Sequence, residues 1–333
     1  MTALFKNGSL VSAVIPTCKR SYTLPSAIQS ALSQTYREIE VVVVIDGPDA
    51  ETSQALGLIR DPRIRIIQLD SNCGPGQARN AGVSAALGEW IAFLDDDDEW
   101  LPEKLERQLA ALASVNCDDP IISCRFAALT PSGEYVWPKR FPRPSEPISE
   151  YLLVRDGLSH DDGFIATPTI LTRRSLLQRI PFQSGLKKHE DWDWLLRATL
   201  ESSVGVFFCP ETLAICHMEA SNSASREADW EFSLEWIRAN RDRVTARAYS
   251  SFIATHVGWQ AAAQRTWRVF ALLLWDAFRN GSLRFIDIAR YCGYWFISSA
   301  HRGEIKRRCG CRLRHTLGDD QRPMSPPLQC LDK

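Results

Sequence analysis

Apolar runs and polar breaks alternate along the first two thirds of the chain in a strand, helix, strand rhythm. Residues 10–16, LVSAVIP, form a short apolar run suited to a strand covered on both faces, and the polar turn Thr17, Cys18, Lys19, Arg20 ends it. From Ser21 the period lengthens to that of a helix, with Leu24, Ile28, Ala31 and Leu32 on one face and Pro25 in the first turn. Residues 40–45, EVVVVI, are a second buried strand that ends in Asp46 and Gly47. Such a strand, helix, strand series predicts a parallel unit with a right-handed crossover.

The same rhythm continues. A weaker helix is expected over 50–59 and a third strand over 63–69, RIRIIQL. Residues 72–82, NCGPGQARNAG, are a glycine-rich loop running into a helix that ends near Leu87. A strand over 90–94 and an amphipathic helix over 103–115 follow, the latter carrying Leu105, Leu109 and Leu112 at helical spacing. Further expectations are a strand over 121–129, a proline-rich functional loop over 131–147, a strand over 164–171 and a short helix over 173–179. In KKHEDWDWLLRATL, Trp192, Leu195, Leu196 and Thr199 are spaced to bury one helix face, and strands over 204–208 and 212–216 come after it. From Ala228 no strand pattern survives: helices are expected over 230–244, 251–278 and 285–298. The boundaries implied are an α/β domain over 1–227, a helical region over 228–315 and a disordered tail over 316–333.

Composition narrows the classes. At 333 residues with 45% hydrophobic and 24% charged residues, the chain suits one large α/β domain with an appendage. A net charge of -1 argues against a whole-protein nucleic-acid binder. There is no apolar run of the roughly 18 residues a spanning helix needs. The start, MTALFKNGSLVSAVIP, lacks the charged opening and long apolar core of a signal peptide, so a cytoplasmic protein with reduced thiols is expected. The close pair Cys309 and Cys311 has no second pair to complete a zinc site.

The chemistry concentrates in LGEWIAFLDDDDEWLP, residues 87–102. Its apolar run delivers Asp95, Asp96, Asp97 and Asp98 to the carboxyl edge of a sheet, where open α/β sheets bind ligands. Carboxylates crowded there repel one another and call for a hard cation such as Mg²⁺ or Mn²⁺, shared with substrate phosphates. The competing reading is a solvated acidic turn before a helix that starts at Pro102 and Glu103. In the glycine-rich loop Arg79 suits a phosphate, yet GPGQARN matches neither a Walker loop nor a full dinucleotide fingerprint, and such loops are often only turns. His189, Glu190, Asp191 and Asp193 crowd a helix start, which the macrodipole alone would favour. His217 follows the last strand, either as a hydrogen-bonded structural residue or as a metal ligand.

Taken in order, VIPTCKR, VVIDGP, GPGQARNAG, GEWIAFLDDDDEWLP and HEDWDWLLR resemble glycosyltransferase family 2, the inverting nucleotide-sugar transferases of the GT-A fold, over residues 9–226. The resemblance implies a Rossmann-like, mostly parallel mixed sheet with helices on both faces, followed here by a C-terminal helical extension. It places Pro16, Thr17 and Arg20 in the nucleotide pocket, Asp46 on the base, and Arg79 near the pyrophosphate or sugar. It matches Asp95, Asp96 and Asp97 to the family's Asp-x-Asp element, with Asp97 the direct ligand of Mg²⁺ or Mn²⁺, assisted by Asp95 and His217. Asp191 matches the general base. The more usual double Asp before the glycine is here Ile45-Asp46, a departure that leaves one carboxylate for the base.

The expected reaction is transfer of a sugar from a nucleotide-diphosphate donor, a UDP-sugar in first place, to a hydroxyl of a glycan or lipid-linked acceptor in polysaccharide or envelope glycan synthesis. A nucleotidyltransferase is the alternative within enzymes, but VIPTCKRSYT lacks the basic glycine-rich loop that class carries after its first strand. A binding module without turnover is the other, and would not require Asp191. The segment 265–314 combines Trp267, Phe270, Leu274, Trp275 and Phe278 with arginines and the cluster Lys306, Arg307, Arg308, Arg312 and Arg314. Peripheral contact with the inner membrane surface is expected there, or packing on the catalytic domain.

Overall fold

The computed structural model describes residues 9–131, 133–155, 163–218 and 229–297. Strands β1 (Val11–Thr17), β2 (Ile39–Ile45), β3 (Ile64–Gln68) and β4 (Trp90–Phe93) form as the apolar runs predict. They lie parallel in the order β3-β2-β1-β4, with Val14 opposite Val42 on one side and Phe93 on the other. Helices α1 (Leu24–Leu32), α2 (Ala50–Gly57) and α3 (Pro75–Ala85) supply the crossovers. Because the chain runs outward from β1 to β3 and then returns to the far side of β1, the strand order reverses between β1 and β4. The carboxyl ends of those two strands therefore frame the crevice in which such sheets bind ligands.

The sheet continues past β4 in mixed direction. A two-residue strand β5 (Glu99–Trp100) follows the aspartates, and helix α4 (Lys104–Ala111) leads into β6 (Asp119–Thr130) and β7 (Gly133–Trp137). After α5 (Ile148–Leu153) come β8 (Leu171–Arg173), α6 (Arg174–Arg179), α7 (Glu190–Ala198) and β9 (Val204–His217). The full path is β3-β2-β1-β4-β8-β6-β9-β5, with β7 on β6, and the β4–β8, β8–β6 and β9–β5 pairs are antiparallel. Below it, Val11, Ala13, Ile15, Ile28, Val41, Val43, Ala92 and Leu105 share one core. Lys104 is buried in that core, donating to Gln108 Oε1 at 2.7 Å and lying 4.2 Å over the Trp100 ring, and burial pushes its pKa down to about 8.

Four expectations need correction. The strand expected over 164–171 is a loop with a 3-10 turn at Thr167–Thr169, because Pro168 cannot donate to a ladder; only Leu171–Arg173 is strand. The proline-rich stretch 131–147 is not all loop, since β7 forms a hairpin with β6. The strands expected over 204–208 and 212–216 are the single strand β9, whose register against β6 slips where Pro210 lacks a donor. The helix expected over 251–278 is broken into α9 (Ala246–Phe252), a π turn, α10 (Gly258–Ala263), a 3-10 turn and α11 (Phe270–Asn280), with Arg265 in the left-handed region at the break.

The described residues of Met1–Phe141 and Asp161–Arg226 form one compact unit, and those of Pro142–His160 and Glu227–Lys333 another. In the second unit α8 (Trp230–Ala239), α9, α10, α11 and α12 (Phe285–Phe296) pack with α5. Two buried carboxylates hold it together: Asp276 accepts from Arg238, Tyr249 and Asn280, and Asp287 from Arg247. No helix among the described residues is long and apolar enough to cross a membrane. The basic cluster at 306–314 and the tail at 316–333 lie outside the described residues. The described cysteines are free thiols.

Gly82 lets α3 lie flat on the sheet, since a Cβ there would stand 2.4 Å from Val14 Cγ1 and 3.1 Å from Val44 Cγ2. Alanine would add up to about 1 kcal/mol of helix propensity. Overpacking outweighs that gain, so Gly82→Ala is expected to lose a net amount of about 1–3 kcal/mol in urea unfolding. An unchanged midpoint would show that β1 gives way instead.

Candidate active site

Everything at the crevice begins with how four adjacent carboxylates are kept apart. Asp96, buried at the end of β4, accepts from Thr17 Oγ1 at 2.7 Å and from Arg20 Nη1 at 3.0 Å. The same Arg20 nitrogen donates to Asp97 Oδ2 at 2.6 Å. Asp95 turns the other way and accepts from Arg79 Nη2 at 2.7 Å. Asp98 is buried as a structural post, accepting the His217 amide at 2.8 Å. Thr17 ends β1 and Arg20 follows it, so the two strands that frame the crevice are joined across it by these bonds.

Burial and mutual repulsion leave their mark on the protons. Desolvation pushes Asp96 up to about 6, against the Thr17 bond and the Arg20 charge, with Asp97 and Asp95 adding to the rise. Asp97 is raised by burial, which Arg20 partly offsets, and Asp98 is raised well above the carboxylate range by burial and by Asp95 and Asp97. A cluster in this state attracts further positive charge.

Arg79 is the hub that ties this cluster to α7. It is fully buried, with Nη1 donating to Glu190 Oε1 at 2.9 Å and Nη2 to Asp95, while its guanidinium lies 5.7 Å from the centre of the Phe182 ring. Burial opposes its charge, but Asp95 and Glu190 together outweigh that and hold its pKa above the ordinary value. Its Nε, also buried, finds no acceptor among the described residues. Glu190, one of the acids crowding the helix start, is thus the second carboxylate on Arg79.

Those acids separate cleanly. His189 adopts a left-handed backbone, which histidine tolerates better than most residues, and its ring stacks on Trp192 at 5.1 Å. Asp193 is buried and accepts from Arg197 Nε at 2.7 Å, one helical turn on. Asp191 Oδ1 takes the Trp192 amide at 2.8 Å, and no other hydrogen bond reaches its carboxylate among the described residues. Burial first, then Glu190, pushes Asp191 up to about 7, although the Trp192 bond and Arg79 pull the other way. A carboxylate with one free oxygen and a pKa near neutrality can accept a proton.

The remaining predicted residues fall around this centre. Pro16 is buried in β1 opposite Val44. Asp46, at the end of β2, accepts the Cys73 amide at 2.7 Å on Oδ1 and the Gly74 amide at 2.9 Å on Oδ2, so it pins the glycine-rich loop at the start of α3. That approach needs Gly47, whose φ is +97° and where a Cβ would lie 2.8 Å from the Asn72 nitrogen. Each Asp46 oxygen keeps a second lone pair for a ligand. The His217 ring stands 3.7 Å from Glu99 Oε1.

Among the described residues no three carboxylate, imidazole or thiol groups meet in metal-ligand geometry. The donor set nevertheless fits a divalent ion: Asp97 and Asp95 carry hard oxygens, burial and neighbouring carboxylates raise Asp96 and Asp97, and Mg²⁺ needs only one or two carboxylates when phosphates complete its shell.

A Rossmann-like half-sheet with acids at its switch point, facing a further carboxylate on a neighbouring helix, is the arrangement of a GT-A glycosyltransferase. The chain belongs to glycosyl transferase family 2, whose model matches residues 12–180. It is 34% identical over 215 residues to the succinoglycan biosynthesis protein ExoO of Rhizobium meliloti (strain 1021), a match spanning 60% of this chain and 60% of that relative. In fold it is similar to S. aureus TarS 1-349 in complex with UDP-GlcNAc, with a TM-score of 0.55, 19% identity, and coverage of 90% of this chain and 92% of that one. It is likewise similar to the mannosyltransferase PcManGT from Pyrobaculum calidifontis in complex with GDP-Man and Mn²⁺, with a TM-score of 0.55, 14% identity, and coverage of 95% and 89%.

Removing the hub should be severe. Arg79→Met leaves Asp95 and Glu190 without their shared cation, and breaking a buried pair in this way typically costs about 3–5 kcal/mol. Denaturant unfolding checks this, and a loss below about 1 kcal/mol would show that water replaces the guanidinium.

Proposed function

We propose that the protein is a metal-dependent, inverting glycosyltransferase. It moves a sugar from a nucleotide-diphosphate donor, a UDP-sugar in preference, to a hydroxyl of a glycan or lipid-linked acceptor in polysaccharide or cell-envelope glycan synthesis. The observation that carries this reading is Asp191, a half-buried carboxylate with a free oxygen, joined through Glu190 and Arg79 to Asp95 of the acidic cluster. Support for the substrate class comes from the succinoglycan name of one relative and the UDP-GlcNAc bound to TarS. The enzyme's expected place is the cytoplasm, against the inner membrane face.

In this reading Pro16 and Thr17 shape the nucleotide pocket, Asp46 accepts from the base on its spare lone pairs, and Arg20 turns from Asp97 toward the diphosphate. Mg²⁺ or Mn²⁺ would be held by Asp97 and Asp95 with His217 beside them, and when bound supplies Lewis-acid stabilisation of charge on the leaving diphosphate. Asp191 Oδ2 takes the proton of the acceptor hydroxyl as that oxygen bonds to the anomeric carbon. The carbon's bond to the diphosphate breaks on the opposite face, and the electron pair leaves on a phosphate oxygen. One in-line displacement inverts the anomeric centre.

Two measurements test the assignment. Asp191→Asn is expected to lower turnover by roughly 10²-fold or more while donor binding is kept. Because the base works deprotonated, wild-type turnover should rise with pH through about 7 and flatten above it. Near-normal turnover in the variant, or a product that keeps the donor's anomeric configuration, refutes the role. Separately, turnover on a panel of UDP-, dTDP- and GDP-sugars should stop in excess EDTA and return with Mn²⁺ or Mg²⁺, and Asp97→Ala should abolish it. Full turnover in EDTA overturns the metal requirement.

A further inference from the structure

The second unit leaves an apolar face uncovered. Along α11 the buried positions are Leu273, Asp276 and Ala277, so the opposite stripe presents Leu272, Trp275 and Phe278 to solvent, the last two 59% and 67% exposed. Trp267, in the turn before α11, is half exposed and lies at a tilt, 5.5 Å between ring centres, against Phe296, which is itself 67% exposed at the end of α12. The stripe is therefore continuous with the end of the neighbouring helix. Large apolar groups gathered in this way mark an interaction surface.

The exposed charges of the segment that carries the face are of one sign. Arg265, Arg268 and Arg279 are exposed beside it. Between Gly258 and Ile297 the only acids are Asp276 and Asp287, and both are buried and spent on Arg238 and Arg247. An apolar stripe whose own segment exposes guanidinium groups and no carboxylate matches an anionic bilayer: aromatic rings enter the headgroup region while arginines meet phosphates. A protein partner would be expected to find acids as well as bases with which to pair.

We propose that the outer face of α11, with Trp267 and Phe296, docks on an anionic lipid surface. This goes beyond the transferase reading and holds whether or not that reading does, because it is tested without a sugar donor. The full chain is floated with vesicles of phosphatidylcholine alone or with added phosphatidylglycerol, at low and high salt. Binding is expected to need the anionic lipid and to fall as salt rises. Trp275→Ala and Phe278→Ala, both at exposed positions, should each weaken partitioning by roughly 10-fold or more, with unchanged unfolding midpoints. Failure to float with phosphatidylglycerol at low salt overturns the proposal. So does floating that is indifferent to both substitutions, or a dimer in solution that both substitutions dissociate without any vesicle binding.

Discussion

Mutual repulsion among four consecutive carboxylates is the constraint that organises the catalytic unit. Each is kept by a different means: Asp95 by Arg79, Asp96 by Thr17 and Arg20, Asp97 by Arg20, and Asp98 by the His217 amide. Burial pushes the protons of Asp96, Asp97 and Asp98 up in spite of these partners, so the compensation is incomplete. The proposed cation and diphosphate would meet carboxylates whose charge the protein has only partly matched.

The partners also bind distant parts of the chain together. Thr17 and Arg20 come from the end of the first strand, Arg79 from the third helix, and Glu190 from the seventh, more than a hundred residues further on. A buried arginine between two acids stabilises little by itself once desolvation is subtracted, but it specifies geometry. Here it sets Glu190, and hence the first turn of α7, against the end of β4. Asp193 meanwhile is drawn off to Arg197, while Asp191 accepts only the Trp192 amide among the described residues.

The helical unit follows another logic. Asp276 and Asp287 are inside, each matched to an arginine, while Arg265, Arg268 and Arg279 and several aromatic rings of the same segment are outside. An ordinary soluble surface mixes both signs of charge and scatters its apolar side chains. The inversion leaves a face with no polar reason to stay in bulk water.

Local pattern by itself determined the parallel strands β1 to β4, most helices, and the residues that carry charge to the crevice. Period and turn chemistry act over a few residues, and that range suffices for LVSAVIP, EVVVVI or the acidic end of β4. The misjudged elements were those settled by neighbours: β7 exists because β6 offers an edge, and β9 runs through Pro210 because its register can slip there. In the site, the motif order pointed to Asp191, and only packing shows Asp193 paired with Arg197 while Asp191 accepts the Trp192 amide. Arg79, suited to phosphate in sequence, proved to lie between two carboxylates, and Asp46 to hold the glycine-rich loop. Lys104, which any pattern would send to solvent, is buried over Trp100. Which acid meets which base depends on distances between segments far apart in the chain, and only the folded structure sets those distances.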